Sequence, residues 1–94
     1  MPVYLKYKQR QKMKNYRVNE IKFSNRTGSE IVNSWDVTAD SKRDAVIRIF
    51  QRFNDDNFFM DDDGSVTDCD GCVIMDADAD YIDFNGYRYE AEMI

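Results

Sequence analysis

Aspartate recurs at short intervals in the second half of this chain, which raises the question of a metal site. A helix–loop–helix calcium loop needs oxygen ligands at alternate positions, a glycine at the sixth position and an acidic residue six places beyond it. Placing Gly64 at the glycine position puts Phe59 at the first ligand position, and placing Gly71 there puts Val66 at it. The alternating aspartates of 76–80 are not followed by a glycine. We therefore predict no metal site.

The two cysteines, Cys69 and Cys72, have the spacing of half a zinc site, but the chain has neither a second pair nor a histidine. A complete site would need two chains or two carboxylates, and the sequence leaves the intermolecular site open. A disulfide would need an oxidising compartment, of which the sequence gives no sign. We predict two reduced thiols that face each other across a hairpin.

The groups that usually carry out catalysis are missing. A nucleophilic cysteine needs a nearby base, and there is no imidazole. Hydrolysis by paired carboxylates needs a pocket, which exposed aspartates do not form. The four glycines are isolated turn residues rather than a loop that cradles phosphate. The sequence thus predicts a protein that is not an enzyme, with no catalytic residue and no cofactor.

Charge is distributed very unevenly along the chain. Residues 1–26 carry eight Lys or Arg against Glu20 alone, a net charge of +7. Residues 27–54 are neutral, and residues 55–94 carry thirteen acids against Arg88 alone, a net charge of −12. Such asymmetry points to the partners of a protein. The alternative is intramolecular, with a basic strand that lies beside an acidic sheet edge and neutralises part of it.

The acidic part suggests one kind of partner. Clustered carboxylates on rigid hairpins imitate a phosphate backbone, and they would dock on a basic nucleic-acid-binding protein with electrostatically steered association. The alternative is that the acidic loops only keep a small protein in solution. The predicted acidic face consists of Asp55, Asp56, Asp61, Asp62, Asp63, Asp68, Asp70, Asp76, Asp78 and Asp80.

The basic part suggests direct nucleic-acid binding instead. In an extended chain, alternate basic residues share one face at intervals of about 6.6–6.8 Å, similar to the phosphates of a stretched single strand. Tyr4, Tyr7 and Tyr16 could stack on bases. The negative net charge of −5 makes this the less favoured hypothesis. Its residues are Lys6, Lys8, Arg10, Lys12 and Lys14.

Alternating apolar residues predict strands in the first part of the chain. A β-prone segment covers 3–8, and a second run covers 16–23 with a change of phase that predicts a bulge near Asn19-Glu20. A turn over 24–29 follows by composition. In the next strand Ile31, Trp35, Val37 and Ala39 line one face, with Asn33 as the exception.

One amphipathic helix is predicted over 41–54. Ser41 begins a capping box whose acidic member is Asp44, and Asn54 suits a left-handed helix end. Ile47 lies off the apolar arc and is expected to be half-exposed. The arc itself contains Ala45, Val46, Ile49, Phe50 and Phe53. After the helix, the apolar segment 58–60 is expected to reach the core.

Two hairpins are predicted in the acidic part. Asp70-Gly71 indicates a two-residue turn between strands at 66–68 and 73–75, and Asn85-Gly86 indicates a second. The register of the second hairpin places Phe84 opposite Tyr87 and Ile82 opposite Tyr89 on one face, and Asp83 opposite Arg88 on the other.

These elements predict a single α+β domain over 1–94, with an antiparallel sheet of four or five strands and the helix on one face. No apolar run approaches the roughly 20 residues that span a bilayer, so we expect a soluble, unexported protein with no membrane partner. The expected core consists of Trp35, Val37, Ile49, Phe50, Phe53, Ile82, Phe84 and Tyr89.

Part of the chain resembles small phage and mobile-element proteins of the anti-CRISPR type. The resemblance covers residues 16–54, where two strands end in an aromatic-x-Val-x-Ala segment and lead into a capped helix. It is carried by Tyr16-Arg17-Val18, Gly28, the run Trp35-Asp36-Val37-Thr38-Ala39-Asp40-Ser41, Ala45-Val46-Ile47 and Phe50.

The resemblance implies a function. Anti-CRISPR proteins mostly act without catalysis, by occupying the DNA-binding surface of a Cas nuclease or surveillance complex. By this resemblance we expect a binding inhibitor that acts in the cytoplasm of a bacterial host and docks its acidic face on a CRISPR effector. The partner's identity, the stoichiometry and a third alternative, a structural or oligomerisation module, stay open.

Overall fold

A computed structural model describes residues 13–24, 26 and 28–94. The predicted α+β class is confirmed. The elements are β1 (Lys14–Ser24), β2 (Gly28–Ala39), α1 (Lys42–Asn54), a 3₁₀ turn (Asp55–Asn57), β3 (Phe59–Met60), β4 (Val66–Thr67), β5 (Val73–Met75), β6 (Tyr81–Phe84) and β7 (Tyr87–Met93). The β-prone segment 3–8 and four of the five candidate nucleic-acid-binding residues, Lys6, Lys8, Arg10 and Lys12, lie outside the described residues.

Two antiparallel sheets form the described part of the fold. The larger has the strand order β2-β1-β7-β6, and α1 packs on one of its faces. The smaller has the order β3-β4-β5, and β5 lies against β6. The acidic segment after the helix therefore lies at the β6 side of the large sheet, and β2 forms the opposite edge.

A bulge is present at the predicted place in the first hairpin, but on the partner strand. The register between β1 and β2 shifts between Glu20 and Ile21, where Glu20 pairs with Asn33 and Ile21 pairs with Ile31. Val32 is left without a partner on β1, so the extra residue belongs to β2.

The bulge decides which side chains of β2 face the helix. Cross-strand partners share a face and the faces alternate along a strand, so Trp35 and Val37 face α1 whereas Ile31 faces away and is 58% exposed. The prediction that Ile31 lies on the face of Trp35 is wrong, because the alternation reverses at the bulge. Asn33 lies in phase with Trp35, and its amide donates to Glu20 Oε1 at 2.8 Å.

The helix begins as predicted and ends differently. Ser41 Oγ accepts a hydrogen bond from the Asp44 amide at 3.1 Å, and Asp44 Oδ2 accepts one from the Asp40 amide at 3.3 Å. Asn54 has φ −137°, so its predicted left-handed conformation is wrong. The chain continues into the right-handed 3₁₀ turn instead of reversing at the helix end.

The core is centred on Phe50, which is fully buried and packs edge-on against Phe84 and Tyr89 at 5.3 Å between ring centroids. Phe53 is wrongly predicted as core, because it is 56% exposed and lies over Trp35 of the edge strand β2. Trp35, Val37, Ile47 and Phe84 are half-buried and pack against the core, whose fully buried larger side chains are Phe50, Ile49, Met75, Ile82, Val18, Val46 and Val66.

The segment after the 3₁₀ turn is only partly buried. Phe58 packs against the core, but Phe59 and Met60 are 51% and 50% exposed. The expectation that all three reach the core is wrong for these two, which belong to β3 at the edge of the small sheet.

The second predicted hairpin, between β6 and β7, is confirmed in every pair. Asn85 and Gly86 have φ of 55° and 84°, as a two-residue type I′ turn requires. Phe84 pairs with Tyr87, and Arg88 Nε lies 2.7 Å from Asp83 Oδ1.

The hairpin between β4 and β5 is present, but its predicted two-residue turn is wrong. The amide of Asp68 donates to the Cys72 carbonyl at 2.9 Å, and Gly71 has φ 83°. The turn therefore contains residues 69–71, with Gly71 as the left-handed third residue. The physical reason is that Asp68 Oδ1 accepts hydrogen bonds from the amides of Asp70 and Cys72, which stabilises the longer turn.

Candidate functional site

The candidate site lies in the segment 55–80, which contains ten aspartates and no lysine or arginine. These are the ten residues of the predicted acidic face. Nine of them are exposed, and Asp68 is half-buried.

One arginine holds two of the acidic loops together. Arg43 Nη1 donates to the carbonyls of Asp76 at 3.0 Å and Ala79 at 2.5 Å, and its Nη2 donates to the carbonyl of Gly64. The loops 61–64 and 76–79 therefore meet at the start of α1. We call the five aspartates in these loops, together with Asp80 directly after the second loop, the Arg43 cluster: Asp61, Asp62, Asp63, Asp76, Asp78 and Asp80.

The other four aspartates lie elsewhere. Asn57 Oδ1 accepts a hydrogen bond from the Cys69 amide at 3.4 Å, which connects the 3₁₀ turn to the β4–β5 turn. Because β3, β4 and β5 are antiparallel, this turn and the loop 61–65 lie at opposite ends of the small sheet. The structure thus separates Asp55, Asp56, Asp68 and Asp70 from the Arg43 cluster.

Three of the ten carboxylates accept hydrogen bonds that stabilise the loop or turn to which they belong. Asp63 Oδ1 accepts from both the amide and the hydroxyl of Ser65, at 2.9 and 2.7 Å, and Asp61 Oδ2 accepts from the same hydroxyl at 3.2 Å. Asp68 closes the β4–β5 turn. The bonds from Ser65 hold the pKa of the Asp63 carboxyl below its ordinary value of 3.8.

The other four carboxylates of the Arg43 cluster do not stabilise their loops through side-chain hydrogen bonds. Among the described residues, the side chains of Asp62, Asp76, Asp78 and Asp80 make no hydrogen bond or ion pair. They are exposed on loops whose backbone is held in place. Their charges are therefore available to a partner.

The only base of residues 55–94 does not neutralise this cluster. Arg88 forms two hydrogen bonds to Asp83, and its guanidinium lies 4.2 Å from the ring centre of Tyr81 and 5.5 Å from that of Phe23. The bonds to Asp83 raise the pKa of Arg88 above its ordinary value. This group lies on the face of the large sheet that α1 leaves open, because Asp83 and Arg88 alternate with the buried Ile82 and Tyr89.

Arg43 is not among the residues predicted from the sequence, although the sequence carries one signal for it. Arg43 lies in the first turn of α1, where a positive charge is unfavourable beside the positive end of the helix dipole. A cation at that position therefore suggests acceptors outside the helix.

The remaining predicted site residues are placed as follows. Lys14 is exposed at the start of β1. Cys69 and Cys72 are exposed free cysteines, and the prediction that they face each other across the hairpin is wrong, because Cys72 pairs with Asp68 and Cys69 lies in the turn. Within the part of the chain that the structure describes, no group of three His, Cys, Asp or Glu residues is arranged to hold a metal ion, and no helix is long and apolar enough to span a membrane.

Replacing Ser65 by alanine tests how the loop 61–65 is folded. Because the hydrogen bonds from Ser65 stabilise the ionised Asp63, the variant should raise the pKa of this carboxyl towards 3.8, as followed by a carboxyl NMR titration. In the wild type, the pKa of Asp63 is lower in the folded state than in the unfolded state. The hydrogen bonds from Ser65 therefore stabilise the fold at pH values above the unfolded-state pKa of Asp63, and this stabilisation is lost as the pH falls through its folded-state pKa. An unchanged Asp63 titration in the variant would contradict the assignment.

The chain matches none of the protein-family models, curated proteins and solved structures with which it was compared.

Proposed function

We propose that this protein is a non-enzymatic binding inhibitor of the anti-CRISPR kind, which docks the Arg43 cluster on the basic nucleic-acid-binding surface of a bacterial CRISPR effector in the cytoplasm. The observation that carries the proposal is the set of four exposed, unpaired carboxylates on two loops that Arg43 joins. They belong to a segment with ten negative charges and no positive one.

The rigidity of the loops favours docking by charge. A partner that binds flexible loops must order them, which costs conformational entropy, whereas loops held by Arg43 and Ser65 are ordered beforehand. Complementary charge then increases the association rate and selects a basic partner over other proteins. A groove that normally holds a phosphate backbone presents the required positive charge.

Direct binding of nucleic acid is less well supported. The net charge of −5 repels a polyanion, and Lys14 is the one described residue of the basic candidates. The other basic candidates lie outside the described residues.

Neutralising the four free carboxylates tests the proposal. Asp62→Asn, Asp76→Asn, Asp78→Asn and Asp80→Asn together change the net charge from −5 to −1 without removing a side-chain hydrogen bond among the described residues. We expect the wild type to displace target DNA from a guide-loaded Cas nuclease or surveillance complex, and the variant to need at least about tenfold more protein. The difference should shrink between about 50 and 500 mM salt, because screening removes long-range attraction.

A charge-matched control separates a local site from net charge. Glu30→Gln, Asp56→Asn, Asp70→Asn and Glu90→Gln change the charge by the same amount outside the Arg43 cluster, also without removing a side-chain hydrogen bond among the described residues. This variant should inhibit like the wild type. Equal loss in both variants would contradict a site at the Arg43 cluster. Micromolar binding of the wild type to a labelled single-stranded oligonucleotide, abolished by changing Lys6, Lys8, Arg10, Lys12 and Lys14 to Gln, would favour the nucleic-acid hypothesis instead.

A further inference from the structure

The edge strand β2 of the large sheet is long and, among the described residues, unpaired on its outer side. β2 runs for twelve residues, and among the described residues its only strand partner is β1. It contains no proline, lysine or arginine, which edge strands that stay unpaired often carry. The bulge at Val32 also protects an edge, but it leaves residues 33–39 regular. Its charges are Glu30 and Asp36, and Asp36 is paired with Arg17 at 3.0 Å.

Apolar side chains are exposed along this edge. On the helix side, Phe53 is 56% exposed and lies over Trp35, with ring centroids 5.1 Å apart. On the other side Ile31 is 58% exposed, and Val32 at the bulge is 41% exposed. An incoming strand would therefore gain backbone hydrogen bonds from β2 and apolar contacts on the helix side.

We propose that β2 pairs with β2 of a second copy of this chain, in antiparallel orientation, to form a homodimer with a continuous eight-stranded sheet. An antiparallel edge is complementary to itself about a two-fold axis, so no second surface is required. A register with the axis at Trp35 brings the Trp35 and Phe53 rings of both copies together. It also places Asp36 of one copy opposite Ser34 of the other. The carboxylates that do meet, Glu30 and Asp40, lie just beyond the ends of the paired segment 31–39.

The charge distribution favours a second copy of the chain as the occupant of this edge. β2 and α1 belong to the neutral block 27–54, so their approach to an identical surface meets little repulsion. The acidic segment lies beyond β6, at the opposite edge of the sheet. In the dimer, seven spacings of about 4.7–4.9 Å separate the two β6 strands by roughly 33–34 Å, more than three Debye lengths. The Arg43 clusters lie at the first turn of α1, about 15 Å along the helix from the Trp35–Phe53 contact, and therefore stay accessible.

Light scattering over a range of concentrations, combined with tryptophan fluorescence, tests the dimer on the full chain. Trp35 is the only tryptophan, so its emission reports directly on the edge. We expect twice the chain mass at micromolar concentration, and an emission shift to shorter wavelength as the dimer forms. Phe53→Glu should raise the dissociation constant at least about 30-fold, as for a central interface residue. The matched control is Phe59→Glu, since Phe59 is 51% exposed on the small sheet and should leave association unchanged.

A second variant addresses the register without touching the aromatic pair. Ser34→Asp would place carboxylates opposite Asp36 at two points of the dimer and should also weaken it, while thermal unfolding followed by circular dichroism shows that the monomer still folds. A wild type that stays monomeric at hundreds of micromolar would overturn the proposal, even if another segment of the chain or another protein then proves to cover the edge. A dimer that tolerates both Phe53→Glu and Ser34→Asp would overturn it as well.

Discussion

Replacing Phe50 by alanine should lower the free energy of unfolding by about 3–5 kcal/mol, the range for truncating a fully buried aromatic side chain. Phe50 is 0% exposed and contacts Phe84 and Tyr89 edge-on, so the substitution removes both ring contacts and leaves a cavity under α1. A domain of this size has a total stability of about 5–10 kcal/mol, so the variant should be close to unfolding. Denaturant unfolding followed by circular dichroism measures the loss.

Phe53→Ala is the matched control, because it removes the same ring from the same helix. Phe53 is more than half exposed, and among the described residues Trp35 is the aromatic ring it contacts, so we expect a loss of about 1 kcal/mol. Measurement at high dilution removes any contribution from association through β2. Equal losses at both positions would contradict the orientation of the helix.

Replacing Arg43 by methionine should cost about 2–4 kcal/mol, because three carbonyl acceptors lose a charged donor at once. The methionine keeps most of the apolar stem, so the change isolates the guanidinium. We further expect faster amide hydrogen exchange in the loops 61–64 and 76–79, since Arg43 is what joins them. The variant should also inhibit a CRISPR effector less well if the order of these loops matters for docking.

Arg48→Met provides the comparison from the same helix. Arg48 forms an exposed ion pair with Asp44, four residues away, at 2.9 Å, and such pairs contribute about 0.3–0.5 kcal/mol. Its replacement should leave both hydrogen exchange and inhibition unchanged. If Arg43→Met were as mild as Arg48→Met, Arg43 would not be the residue that organises the acidic loops.

Local sequence determined the features that depend on a few neighbouring residues. The cap at Ser41 needs only the amide of Asp44, and the turn at Asn85-Gly86 needs only two residues that accept positive φ. The turn then set the whole β6–β7 register, because a two-residue loop leaves one pairing. The helix period likewise predicted that Phe50 is buried, since it lies at the middle of the apolar arc.

Tertiary structure decided whatever depends on where distant segments meet. Phe53 lies on the same apolar arc as Phe50, but it is exposed because it lies over the edge strand, and no local pattern records the position of a sheet edge. Glu20 accepts a hydrogen bond from Tyr89, 69 residues away. The aspartates were visible in the sequence, yet their division into two groups follows from the contacts of Arg43 with carbonyls 21, 33 and 36 residues away. Every residue has a backbone carbonyl, so only the path of the folded chain determines which three accept hydrogen bonds from the Arg43 guanidinium.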